Sequence, residues 1–140
     1  MKVLLAADGS EFTRKAMQFL VLNPELFSGD GELLVMNVQP TVHGPVITML
    51  GSTDVALFHA EEFAKVLDPV EQFLGENGIK YRCLKVVGAA VDEIIATAER
   101  EQASMIVMGT QGLGWLGRAL LGSVAQRVVT GTYIPVLLVK

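Results

Sequence analysis

Four short stretches of the chain are apolar at every position rather than at alternate ones: Val3-Leu4-Leu5-Ala6-Ala7, Leu33-Leu34-Val35-Met36, Met105-Ile106-Val107-Met108 and Pro135-Val136-Leu137-Leu138-Val139. Strands that bury both faces read this way, and they belong in a parallel sheet with helices above and below it. A fifth stretch, Lys80 to Val87, mixes apolar and charged positions and suits a place near the sheet edge. Between these runs the apolar spacing lengthens to that of a helix. Phe12, Ala16, Phe19 and Leu20 follow the first run, and Phe63, Val66, Leu67, Val70 and Leu74 precede the mixed one. Val91, Ile94, Ile95 and Ala98 come next, and Val124 and Val128 lie before the last run. Pro69 falls inside the second helical pattern and predicts a kink or a split there. Ser123 is the expected N-cap of the last helix.

The order is βαβαβαβαβ, and right-handed crossovers fold it into an open doubly wound sheet. Such sheets bind ligands beyond the carboxyl ends of their strands, where the strand order reverses. Asp8 and Gly109 each stand directly after an apolar run, so both are expected at that crevice. The stretch from Gln39 to Val55 is longer than a usual connection, and Pro40, Gly44, Pro45 and Gly51 argue against regular structure in it. It is read as either a mobile lid over the crevice or a surface excursion. No repeat or interdomain linker interrupts the 140 residues, which predicts one domain over 1–140.

Composition narrows the partners. Eleven basic residues against 15 acidic ones leave a net charge of -4, which argues against a general surface for nucleic acid. The single cysteine, Cys83, excludes a disulfide within the chain and is expected as a small buried thiol. The apolar start MKVLLAADGS meets an aspartate too soon for the core of a signal peptide, and no run approaches the ~20 apolar residues of a membrane span. The expectation is a soluble, cytoplasmic protein that does not enter a membrane.

Between Met108 and Val124 lie five glycines, in the run MGTQGLGWLGRALLGSV. A loop that leaves a parallel strand, passes several glycines and ends at a helix N-terminus offers main-chain N–H groups and a positive dipole end to an anion. The bland alternative is a surface loop with glycines in tight turns. Gly112-Leu113-Gly114-Trp115-Leu116-Gly117 fits the dinucleotide pattern G-x-G-x-x-G, but that pattern needs an acidic residue about 20 positions later. That distance lands in the closing strand Ile134 to Lys140, which has no carboxylate side chain. The run from Gly112 to Ala119 approaches a P-loop, but Arg118 stands for its lysine and Ala119 lacks the metal-binding hydroxyl.

A third pattern fits without substitution. The spacing Gly109-x2-Gly112-x9-Gly122-Ser123 resembles the nucleotide-binding signature of the universal stress protein family. Ala7-Asp8-Gly9-Ser10, Asn37-Val38, Val107-Met108-Gly109-Thr110, Gly122-Ser123-Val124 and the closing Ile134 to Val139 extend the likeness along the whole chain. The resemblance implies the branch of that family that binds ATP. It implies that Gly109, Gly112, Gly122 and Ser123 hold the ribose and phosphates, chiefly through main-chain N–H groups and the serine hydroxyl. Asp8 and the main chain of Val38 would meet the adenosine end. Arg118 lies inside the cradle, either reaching a phosphate or standing as a solvated charge. The fold expected is a single-domain Rossmann-like α/β sheet of five mainly parallel strands, order 3-2-1-4-5, with about four helices on its two faces. The chain departs from the family at Val87-Gly88-Ala89-Ala90-Val91, where a proline often opens the following helix, and in placing Trp115 within the loop.

Other chemistry is weakly represented. His59 and Glu62 share a helical face without a second His or Cys nearby, and His43 reads as a solvated loop residue. There is no G-x-S-x-G elbow, and Cys83 has no clear histidine partner, so no catalytic residue and no metal ligand is assigned. Asp8 is either a nucleotide contact or a cap for the helix beginning near Ser10. With at most Asp8, Ser123 and Arg118 for water positioning and metal binding, ATP is expected to bind with slow or no hydrolysis, with or without magnesium. Pro135 favours an edge position for the last strand, and an open apolar edge favours pairing of Ile134 to Val139 with a second copy. The family resemblance implies the same homodimer. The expected role is a nucleotide-dependent switch or regulator. The alternatives are a dimeric scaffold independent of nucleotide and a slow magnesium-dependent ATP hydrolase.

Overall fold

The computed structural model describes residues 1–112 and 120–140. Its strands are β1 (Lys2–Ala6), β2 (Glu32–Gln39), β3 (Arg82–Val87), β4 (Met105–Gly109) and β5 (Val136–Val139). Its helices are α1 (Glu11–Leu22), α2 (Gly44–Glu76), α3 (Ala90–Arg100) and α4 (Ser123–Gly131), with a 3-10 turn at Pro24–Leu26. The strands form one sheet in the order β3-β2-β1-β4-β5, and every pairing is parallel. The four runs apolar on both faces became the last four strands of that order, and the mixed run became the edge strand β3.

Alternation along the strands feeds two cores. Val3, Leu5, Leu33 and Val35 pack with Ala16, Leu20, Leu67 and Leu74 of α1 and α2 on one face. Leu4, Leu34, Met36 and Ile106 pack with Ile94, Ala98 and Val128 of α3 and α4 on the other. The helix after β1 thus covers one face and the helix after β4 covers the opposite one. That reversal places the crevice at the carboxyl ends of β1 and β4.

Three local expectations are corrected. The stretch from Gln39 to Val55 is not irregular, because α2 begins at Gly44 with Pro45 in its first turn, where a missing N–H costs nothing. The break falls at Gly51, whose φ of 78° lies in the left-handed region that glycine tolerates. Pro69 does not interrupt the helix: among the dihedrals of α2 only those of Gly51 are non-helical. Pro69 lies on an exposed side, where water can meet the carbonyl it leaves unbonded. Ser123 is the first residue of α4, not its cap, which is Gly122. The buried face of that helix is Ala125 and Val128, whereas Val124 is exposed.

From Gly44 to Phe58 α2 projects apolar side chains outward, with Ile47, Met49, Leu50, Leu57 and Phe58 all exposed; from Phe63 onward it enters the core. Among the described residues no helix is long and apolar enough to cross a membrane. Cys83 is half-buried, and loss of hydration, reinforced by the Glu71 charge, pushes its thiol up to about 11. A thiol held protonated in this way is a weak nucleophile.

At the amino ends of the strands Arg82 bridges two carboxylates, with Nε 2.8 Å from Glu32 Oε1 and an Nη 2.7 Å from Glu101 Oε2. Lys2 adds longer contacts of 3.4 and 3.9 Å to the same pair. The hydrogen bonds from Arg82 hold both carboxyls below the usual carboxylate range. Lowered carboxyl pKa values contribute stability that is present above the ordinary carboxylate pKa and lost as pH falls through the lowered one. Because these groups are solvated, Arg82→Met should lower the urea midpoint only slightly at neutral pH. The difference from the parent should vanish at acid pH and in about 1 M salt, where the Debye length is ~3 Å.

Candidate functional site

Strand β1 ends at Ala6, which lines the crevice together with Ala7, and Asp8 turns the chain into α1. Its Oδ1 accepts the Ser10 N–H at 2.9 Å and the Thr13 hydroxyl at 2.8 Å, while the Asp8 N–H donates to Thr13 Oγ1 at 2.9 Å. Ser10 is the N-cap, its hydroxyl accepting the Thr13 N–H at 3.3 Å. Asp8 therefore builds the entry to α1, and it also lines the cavity beside it. The two readings of this residue are compatible.

On the other side of the crevice β4 ends at Gly109. The Thr110 N–H donates to the Val139 carbonyl at 3.0 Å, and the Thr110 carbonyl accepts the Gly122 N–H at 2.6 Å. The loop between them leaves and returns at one point, so the glycine run is clamped at its base. Gly122 caps α4 without a side-chain hydrogen bond, and the first N–H groups of α4 have no partner within the helix.

Three glycines face close neighbours rather than unusual backbone angles, for none of Gly109, Gly112 and Gly122 has a positive φ. A Cβ on Gly109 would strike the Cβ of Phe12 and lie 3.2 Å from the Phe12 carbonyl carbon. On Gly112 it would sit 2.5 Å from Asp8 Oδ2, and on Gly122 it would lie 3.2 Å from Gln111 Cα. The glycines provide space: at Gly109 for the approach of α1, at Gly112 beside the aspartate, and at Gly122 for closure of the loop.

Asp8, Val38, Gly109, Gly112, Gly122 and Ser123 all line one cavity of about 330 Å³, within the range of small-molecule sites. Arg118 and Trp115 lie outside the described residues. The sequence reading missed Thr13, Asn37, Ile94 and Met108 as lining residues. Only the apolar periodicity marked Ile94 and Met108, as core, and a helix-start threonine gives no sign of a partner five residues back. The apolar part of the wall, with Met36, Ile94 and Met108, suits a flat ring. Where Gly122 and Ser123 line it, the cavity meets main-chain N–H groups and the positive end of α4, which suits an anion.

Among the described residues no three His, Cys, Asp or Glu side chains form a metal-binding group. His59 instead stacks near Phe58 and Phe63, with ring centroids 5.7 and 6.3 Å away. His43 caps α2 through its backbone alone. The helix after β3 starts without proline, with Ala89 as its cap and Asp92 and Glu93 complementing its first turn.

A parallel sheet with its order reversing at a glycine-lined, anion-friendly cavity defines the doubly wound class of α/β ligand-binding folds. Within that class the chain belongs to the universal stress protein family, whose model matches residues 1–140. It is 33% identical over 141 residues to a universal stress protein of Methanocaldococcus jannaschii, an alignment covering 99% of this chain and 81% of the relative. The solved structure of the hypothetical protein MJ0577 superposes with a TM-score of 0.80 at 28% identity, covering 99% of this chain and 94% of that one. A universal stress protein solved in complex with cAMP shares the fold at 22% identity, with a TM-score of 0.72 over 100% of this chain and 97% of its own.

Proposed function

We propose that this protein binds an adenine nucleotide, ATP foremost, in the cavity between Asp8 and Ser123, and acts as a nucleotide-dependent regulator. The observation that carries the reading is the convergence of an apolar slot and a helix N-terminus without a side-chain cap in one cavity. An adenine ring fits the first and phosphates fit the second. In this reading Gly109, Gly112, Gly122 and Ser123 hold the ribose and phosphates through main-chain N–H groups and a hydroxyl that capping leaves unused. Asp8 and the Val38 main chain meet the adenosine end, and Arg118 supplies a cation to the phosphates. The cAMP-bound neighbour supports an adenine ligand.

Turnover is slow or absent. Asp8 is the one carboxylate among the described lining residues, and its Oδ1 is already engaged by Ser10 and Thr13. Efficient hydrolysis needs a positioned water, metal ligands and charge neutralisation together. Magnesium, if it accompanies ATP, would be held mainly by the phosphates. The protein works as a homodimer through β5, which pairs with β4 on one side only and leaves its other edge at the rim of the sheet.

Calorimetric titration of nucleotide-stripped protein with ATP, ADP and AMP, with and without magnesium, tests the reading. Affinity should rise with phosphate number. No heat and no thermal stabilisation with any of the three would reject it in favour of a nucleotide-independent scaffold.

A further inference from the structure

Strands β1 and β2 pair in register from Lys2 with Glu32 to Ala6 with Met36, and the Ala7 N–H adds a last bond to the Met36 carbonyl at 2.8 Å. The next rung of a parallel ladder would join the Val38 N–H to the Ala7 carbonyl. Among the described residues that bond is not made. The Ala7 carbonyl instead accepts Asn37 Nδ2 at 2.7 Å, and Gln39 Nε2 donates to Asn37 Oδ1 at 2.6 Å. Asn37 is 3% exposed, so this amide is a buried polar group with both ends satisfied. The Ala7 carbonyl and the Gln39 amide set its orientation together, the nitrogen facing the carbonyl and the oxygen facing Gln39 Nε2.

Main-chain groups of successive strand residues point to opposite neighbours. The Met36 carbonyl bonds toward β1 and the Gln39 carbonyl accepts the Gly88 N–H at 2.9 Å on the β3 side. Val38 therefore directs its N–H and C=O to the β1 side, beyond the point where β1 has ended, and Val38 lines the cavity there. Such a pair offers one donor and one acceptor side by side. Adenine presents the complement, an acceptor at N1 and a donor at the 6-amino group. Hypoxanthine and guanine present the reverse, an N1–H donor beside a 6-oxo acceptor.

We propose that Asn37 is a positioning residue for base selection: its amide occupies the Ala7 carbonyl, ends the β1–β2 ladder one rung early and leaves the Val38 main-chain pair to read the 6-amino edge of adenine. Gln39 holds the amide in the required orientation. The inference rests on the nucleotide reading of the cavity, and it gives Asn37, which lines that cavity, a role exerted through the Val38 main chain. Its origin in the fold is specific, because an apolar residue at position 37 would allow the Val38 N–H to close onto Ala7.

Two measurements on the full chain test it. The first compares ATP with ITP, which differ at position 6 of the base, in wild type and Asn37→Leu. Wild type should favour ATP about tenfold or more, the cost of mispairing desolvated polar groups. In Asn37→Leu the preference should fall to within about threefold of unity, while the ratio of ATP to AMP affinity persists because the phosphate end is untouched. An unchanged ATP preference in a folded variant overturns the proposal.

The second is amide exchange at Val38 without nucleotide. The Val38 N–H should exchange rapidly in wild type and become protected in Asn37→Leu. Equal protection in both overturns the proposal whether or not nucleotide binds, so failure of the nucleotide reading and failure of this one remain distinct. If Asn37→Leu does not fold, Gln39→Ala serves. It should lower the ATP preference without changing the ATP to AMP ratio, and no change in preference overturns the proposal equally.

Discussion

Gly112→Val should weaken ATP binding by about 100-fold, or about 2.8 kcal/mol, in a protein that melts within a few degrees of the parent. A Cβ at this position would lie 2.5 Å from Asp8 Oδ2, and among the described residues the only other neighbour within 4 Å is Asp8 Cγ, at 3.8 Å. The clash is therefore with a single side chain rather than with packed backbone. That side chain cannot swing aside freely, because its Oδ1 holds the Ser10 N–H and the Thr13 hydroxyl at the start of α1. Relief comes by moving the loop, and the loop leads into the phosphate end of the cavity. The new methyl groups would also replace bare main chain where phosphates are proposed to approach. Titration calorimetry with a thermal melt as control reads both quantities. An affinity within threefold of the parent in a folded variant would remove Gly112 from the nucleotide site.

The sheet was legible because strands buried on both faces leave a signal with few rivals: unbroken apolar runs of four or five residues, three of them closed by Asp8, Asn37 or Gly109. The edge position of β3 was legible for the converse reason, since its charged residues had to reach solvent. The first half of α2 was not. Pro45 and Gly51 look like loop residues in isolation, and only their spacing along a helix shows that one opens it and the other divides it. Ser123 misled in the same way, because a hydroxyl at a helix start is a strong cap signal until the backbone places the cap one residue earlier. Within the site, Asp8 and the glycines could be found from strand ends and spacing. Asn37 could be seen to close the second strand, but its work depends on a carbonyl 30 residues away and on the register that brings the two together. No local pattern encodes that.

The signature glycines are alike in sequence but not in duty, and Gly109→Ala should show the difference. Gly109 closes β4 against the first turn of α1, where a single added methyl would strike the Phe12 Cβ and stand 3.2 Å from its carbonyl carbon and 3.1 Å from the Gln111 carbonyl oxygen. Two of those three contacts are main chain, and Phe12 is the second residue of a helix whose start is tied down by the Ser10 cap and the Asp8 bonds. The strain cannot be relieved by a rotamer change. It requires α1 to withdraw from the sheet, opening contacts around Ala16 and Leu20, which are fully buried. Overpacking against backbone falls at the upper end of measured costs, about 3 kcal/mol, and in a domain of this size that lowers the melting temperature by about 10 °C. ATP affinity, measured well below the melt, should fall less than in Gly112→Val, because no atom is added on the ligand side. A variant that keeps the parent's melting temperature but loses ATP would reverse this prediction: the Cβ position of Gly109 would then face the ligand, and the packing of α1 on β4 would tolerate a side chain.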